Sequence, residues 1–261
     1  MTVDANMRAV VDALGLPLSA RVDARVPKKL LVEQGAPTSA DKRAIQDGID
    51  ELQWFAACKP ATIGVPSFAD DTREYLEIAV VGCAFRPDAK GKPAKAARLI
   101  ELIHRAIPYP VLLITADESG LALSATHKRR AQNEAGRTVI EHVVAVPGLR
   151  PDAADATEAA FLHSLALAQQ PRADLHALYG GWQARIEALS AARLTGAFAS
   201  TDDAGAIDRR RAALDAHARL TKEIDTLRGK AKREKQLNRR VDLNMAIQRL
   251  EAERAANTKS L

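Results

Sequence analysis

Cysteine is nearly absent. Cys58 and Cys83 are the only two in 261 residues. They match no metal-ligand spacing and are too few for the disulfide framework of a small secreted fold, so both are expected as buried thiols in a reducing compartment. Long apolar runs are missing as well. The most apolar stretches, Val111 to Ile114 and Ala159 to Ala168, fall well short of the roughly 20 residues that cross a bilayer. Met1-Thr2-Val3-Asp4 does not open a basic segment followed by an apolar one, so no signal peptide is read. A soluble, cytoplasmic protein without membrane contact is expected.

Catalytic signatures are equally scarce. The six histidines (His104, His127, His142, His163, His176 and His217) form no HExxH pair, and each is expected as a surface or satisfied core residue. No GxSxG elbow is present. Gly82 to Lys92 ends in Gly-Lys-Pro but lacks the spacing and the following Ser or Thr of a phosphate loop. No cofactor or metal site is expected. Aromatics are 4% of the chain, and none is interleaved with the basic run of the tail, so base stacking on a single strand finds no support there.

What is present is the composition of a folded chain: 47% apolar and 27% charged residues exclude wholesale disorder. The length allows one large domain, or a domain with an appendage. The net charge of +5 is unevenly placed. Residues 205–261 carry 15 Lys or Arg against 8 Asp or Glu, net +7, whereas residues 1–204 carry 23 against 25, net −2. The expected division is therefore a near-neutral body, 1–204, and a basic tail, 205–261, with the loop Gly196 to Gly205 between them.

In the body, Met7, Val10, Val11 and Leu14 have helical spacing, closed by Gly15 and Pro17. Leu16 to Val26 reads as extended. A second helix is expected from a Thr38 or Ser39 cap, with Ile45, Ile49, Leu52, Trp54, Phe55 and Ala56 on its apolar face, ending before Lys59-Pro60. Leu76 to Phe85 then reads as a buried strand and Pro87 to Pro93 as a turn. Ala94 to Ala106 reads as a helix and Val111 to Ala116 as a second strand. Asp117 to Gly120 reads as a hairpin turn, with Leu121 to Thr126 and Thr138 to Val146 as third and fourth strands. The fold class is α+β, a small mixed sheet in the order strand–helix–strand–strand–strand with helices on one face. Ala156 to Gln169 and Leu175 to Leu194 read as helices.

The tail, Ala206 to Ala256, is one long helical pattern without proline. Leu220, Ile224 and Leu227 have the four–three spacing of a coiled-coil seam, and Val241 falls in the same phase. Leu243, Ile247 and Leu250 repeat the spacing in a shifted phase. The polar run Gly229 to Arg240 between them predicts either a stutter or a helical hairpin. The stripe needs a partner, which could be the body, a second copy in a homodimer, or another protein. Asn238 and Asn244 lie on or near the seam. Lys230, Lys232, Arg233, Lys235, Arg239 and Arg240 read either as phosphate contacts or as a solvated helix face.

Four strings together carry a family resemblance. They are Val26-Pro27-Lys28-Lys29, Trp54, Ala106-Ile107-Pro108-Tyr109-Pro110-Val111-Leu112, and the tail run Lys232-Arg233-Glu234-Lys235-Gln236-Leu237-Asn238-Arg239-Arg240-Val241-Asp242-Leu243-Asn244. In this order the chain resembles the bacterial domain-of-unknown-function 4391 family over nearly its whole length. The resemblance implies a protein encoded beside DNA methyltransferases and helicases of restriction or phage-defence loci, and it transfers no catalytic residue. The chain departs from the resemblance at Ile78-Ala79-Val80-Val81, where a polar, glutamine-containing strand is expected, and that bears on any site built there.

The favoured expectation is a non-enzymatic accessory or adaptor protein whose tail docks a methyltransferase or helicase, with non-specific DNA contact through the six tail cations. One alternative is a diverged metal-dependent nuclease using Asp70 or Asp71, Glu77 and a displaced Lys90 or Lys92, since Ala79 stands where a metal-activating lysine is expected. Another is a stand-alone nucleic-acid binder.

Overall fold

A computed structural model of the chain describes residues 3–86, 93–117, 120–131 and 138–261. The helices are α1 (Val3–Ala13), α2 (Lys28–Gly35), α3 (Ser39–Gly48), α4 (Pro60–Ile63), α5 (Pro93–Ala106), α6 (Ala156–Ser164), α7 (Leu175–Thr195), α8 (Ala204–Arg233) and α9 (Leu237–Thr258). The longer strands are β1 (Arg21–Arg25), β2 (Ile49–Cys58), β5 (Ile78–Phe85), β6 (Val111–Asp117), β7 (Gly120–Ala125) and β10 (Val144–Leu149). Two short ribbons complete the set: β3 (Phe68–Ala69) with β4 (Glu74–Tyr75), and β8 (Lys128–Arg130) with β9 (Thr138–Ile140). The chain divides into two compact units, 1–186 and 187–261.

The first unit is an α+β body around a six-stranded mixed sheet in the order β1-β2-β5-β6-β7-β10. Only β5 and β6 run parallel, joined through α5; the other neighbours are antiparallel. β5 is buried along its first six residues, the signature of a central strand covered on both faces. One face packs Leu52, Val81, Cys83 and Leu113 against α2, α3 and α5. The other receives α1: a Cβ on Gly82 would stand 2.3 Å from the Phe55 ring and 3.1 Å from the Met7 sulfur, so the bare glycine is what lets them approach. Helices therefore lie on both faces, not on one.

The expected second helix is corrected. α3 ends at Gly48, and Ile49 to Cys58 is strand β2, the neighbour of β5. Bulges between Ile49 and Glu51 and between Trp54 and Ala56 break its two-residue alternation, leaving an apolar spacing that mimics a helix. α2 was not anticipated. The expected fourth strand is two elements, β9 in a ribbon with β8 and β10 at the sheet edge. Residues 87–92 and 118–119 of the expected turns lie outside the described residues. The two cysteines are free and buried, and burial pushes the Cys58 thiol up to about 12 and the Cys83 thiol up as well. Among the described residues, no helix is long and apolar enough to cross a membrane.

The second unit holds α8 and α9, two helices that pack on each other as a hairpin reversing at Glu234 to Gln236. Asp203 caps α8, its carboxylate accepting from Ala206 N at 2.8 Å. The shifted stripe phase has a simple outcome: reversal lays Ile247 and Leu250 onto Leu220, Ile224 and Ala231, with Leu227 and Leu243 at the margin. Polar links tie the helices beside this seam. Arg228 donates to Glu251 at 2.6 Å and Asn257 to the Ala213 carbonyl at 2.7 Å.

Candidate functional site

The tail residues singled out in the sequence separate into three groups. Leu220, Ile224, Ile247 and Leu250 are buried in the hairpin seam, and Leu227 and Leu243 are partly buried there. Val241 does not belong to the seam: it is 47% exposed. The break at residues 234–236 resets the helical phase, so a register carried across from Leu227 no longer applies to α9. Lys230, Lys232, Arg233, Lys235, Arg239 and Arg240 are all exposed around the hairpin tip, and none of the six enters an ion pair among the described residues. Lys230, Arg233 and Arg239 line one concavity of about 640 Å³ together with Glu234 and Asp242. The three cations of the last turn of α8 also sit at the negative end of the helix dipole, a favourable place for positive charge.

The outer side of α9 carries a feature the heptad reading missed. Leu237, Val241 and Met245 are 63%, 47% and 64% exposed and lie four residues apart, on one face of the helix. At 100° per residue this stripe lies some 150° from the Leu243, Ile247 and Leu250 seam. α9 thus has two apolar faces, one closed by α8 and one exposed. The signal was in the sequence as a second i, i+4, i+8 series, hidden because Val241 also fits the seam of a continuous helix.

The described residues of the nuclease reading, Asp70, Asp71 and Glu77, do not assemble into a metal site. Glu77 is paired with Lys59 at 2.8 Å. Asp70 is occupied by its own turn: Oδ1 accepts from Thr72 N, Thr72 Oγ1 and Arg73 N, which holds its carboxyl below the usual range. Asp71 is exposed. Lys90 and Lys92 lie outside the described residues. Among the described residues, no three His, Cys, Asp or Glu side chains are grouped so as to hold a metal.

Two further clusters emerge in the body. His127 and His176, far apart in sequence, stand with ring centroids 4.9 Å apart, packed by Tyr75, Tyr179 and Phe68. The Tyr75 hydroxyl is hydrogen-bonded to His127 Nδ1, and burial lowers the His176 pKa. His104 is buried against Ser124 Oγ at 3.0 Å, and burial and then the charge of Lys128 bring it down to about 3.

The second cluster surrounds a groove of about 880 Å³ in the body. Val26-Pro27, Trp54 and Ala106 to Tyr109, parts of three of the four resemblance strings, line it together. Trp54 and Tyr109 form a tilted pair with centroids 6.0 Å apart. The indole N–H donates to Ala56 O at 2.7 Å, which fixes the ring. Beneath the turn, the buried Lys128 Nζ donates to the carbonyls of Ile107 and Tyr109. Lys28 points elsewhere, donating to Ile49 O at 2.9 Å at the α3–β2 junction. The fourth string forms the hairpin tip in the other unit.

Comparison with curated proteins and with solved structures found no match to the chain. The family described as Domain of unknown function (DUF4391) matches residues 14–253, from the end of α1 to near the end of α9, and the chain belongs to that family.

Proposed function

We propose that the protein is a non-enzymatic accessory protein of a bacterial restriction or phage-defence system, acting in the cytoplasm. Its helical hairpin docks an acidic surface of the methyltransferase or helicase encoded with it. The observation that carries the reading is the outer face of α9. Three large apolar side chains in helical register stand exposed beside six exposed cations. An apolar stripe on a helix whose other face is already filled is the form of a helix-in-groove contact. The surrounding charge favours a partner rich in carboxylates. It disfavours a second copy, because residues 205–261 carry +7 and two such segments repel. Phosphates alone would use the cations and leave the stripe without a role.

The test is co-purification of the tagged full chain from cells carrying the whole locus. The wild type should retain the neighbouring enzyme, and a Leu237→Ser/Met245→Ser variant should lose it with an unchanged melting curve. Retention by that variant, or no capture by the wild type, would refute the reading. The nucleic-acid alternative has its own arm. If Arg239→Glu/Arg240→Glu abolishes duplex DNA binding and flattens its salt dependence while the stripe variant binds DNA normally, phosphate contact replaces protein docking.

A further inference from the structure

The groove in the body has the make-up of a ligand site. Its volume, about 880 Å³, is within the roughly 300–1,000 Å³ of small-molecule pockets. Its floor is made of small residues, Ala79 and Val81, which leave depth over the sheet. One wall is α2, through Leu30 and Leu31, and the other is the turn Ala106 to Tyr109. Both walls are held rigidly. Gly35 lets α2 lie directly on α5, and Lys128 binds two carbonyls of the turn, whose Pro108 and Pro110 limit its backbone. Such a site loses little entropy on binding.

We propose that this groove binds a planar aromatic anion, its ring against Trp54 and Tyr109 and its acidic group at the rim with Arg25 and Arg105. The ring preference follows from the tilted Trp54–Tyr109 pair, which offers π faces and edges above an apolar floor. The Tyr109 hydroxyl adds a donor. The charge preference follows from what faces the space. Arg25 and Arg105 line the groove, whereas their partners Glu51 (3.7 Å) and Glu101 (2.6 Å) do not. Among the described residues Arg105 engages a single carboxylate, Glu101, through one nitrogen, which leaves the rest of its guanidinium fork to an oxyanion. Among the described residues the one lining carboxylate, Glu33, has Lys29 at 3.6 Å. A peptide strand is a poorer occupant. The adjacent edge strand β1 is bulged between Arg21 and Ala24, with Asp23 at φ 48°, which interrupts the ladder an added strand would need.

The chain itself supplies the assay. Of its two tryptophans, Trp182 is fully buried and donates to Leu165 O, so ligand quenching reports on Trp54. The full-length protein is titrated with AMP, adenosine, ribose 5-phosphate and phenylacetate, with calorimetry in parallel. AMP, phenylacetate or both should bind, about tenfold or more tighter than the neutral or ring-free compounds. AMP alone would make the source a nucleotide, and both would make it aromatic anions in general. Arg105→Glu and Tyr109→Leu should each weaken binding about tenfold with unchanged circular dichroism. The proposal is overturned if neither AMP nor phenylacetate binds at millimolar concentration, if adenosine binds as tightly as AMP, or if both variants bind like wild type.

Discussion

Lys128 should add a contribution to the stability of the body that rises with pH, opposite in sign to that of the buried Cys58 and Cys83 thiols in the same range. Its side chain is 4% exposed, its ammonium faces two backbone carbonyls, and burial brings its pKa from 10.5 down to about 7. Between about pH 7 and 10.5 the unfolded chain holds this proton and the folded chain does not, so this contribution increases with pH. Below that window both states are charged and the cost is constant at its maximum. Above it the cost is gone. A fall of this size corresponds to at most about 5 kcal/mol, with a limiting slope of about 1.4 kcal/mol per pH unit.

Lys128→Met keeps the stem and removes the titration. It leaves the Ile107 and Tyr109 carbonyls without their donor, at about 1–3 kcal/mol, an offset that does not vary with pH. Urea unfolding followed by tryptophan fluorescence is the assay, since Trp54 and Trp182 both lie in residues 1–186. All other titrations are common to the two proteins and cancel in the difference. The variant should therefore lose ground to wild type steadily from about pH 7 to 10. Parallel stability curves would refute the argument, because they would mean that the buried amine titrates as it does in the unfolded chain.

Three other outcomes follow from the packing. Gly35→Ala places a methyl 2.5 Å from Ala106 Cβ and 2.7 Å from Leu102 O, so α2 must move off α5; a loss of about 1–3 kcal/mol is expected in urea unfolding. In the hairpin, Ile247→Ala should cost about 2–4 kcal/mol while Val241→Ala stays within about 0.5, and equal losses in thermal melts would return Val241 to the seam. His104→Gln should flatten the acid limb of stability between about pH 6.5 and 3. There the unfolded chain takes up a proton that the buried imidazole refuses, and an unchanged acid limb would count against its displaced pKa.

The parts of the fold legible in the sequence are those with one period and one neighbour. β5, α5, β6 and β7 appear in order because the apolar run 78–83 and the helical spacing of Leu99, Leu102 and Ile103 each admit a single reading. β2 was not legible. Its two bulges displace Phe55 from strict alternation, and only its partner β5 reveals it as a strand. The basic tip was visible as a charge run, but the groove was not. Val26, Trp54 and Tyr109 are single residues on three separate elements, and nothing in their spacing says that a sheet and a pinned turn bring them to one wall.

The hairpin changes what a partner would have to do. In a continuous helix, Leu220 through Leu250 would be one apolar seam demanding a second chain, and Val241 would hold its register. With the seam closed between α8 and α9, that demand is met within residues 204–258. Val241 instead stands at the middle of Leu237, Val241 and Met245, on the far side of α9. A partner bound there need not open the hairpin, so docking does not compete with the stability of the unit. Its selectivity would come from the charge around the stripe. Matching six exposed cations favours an acidic surface, and the same cations oppose a second basic hairpin. Substitutions at the tip should accordingly alter partner choice and its salt dependence, whereas substitutions in the seam should alter folding alone.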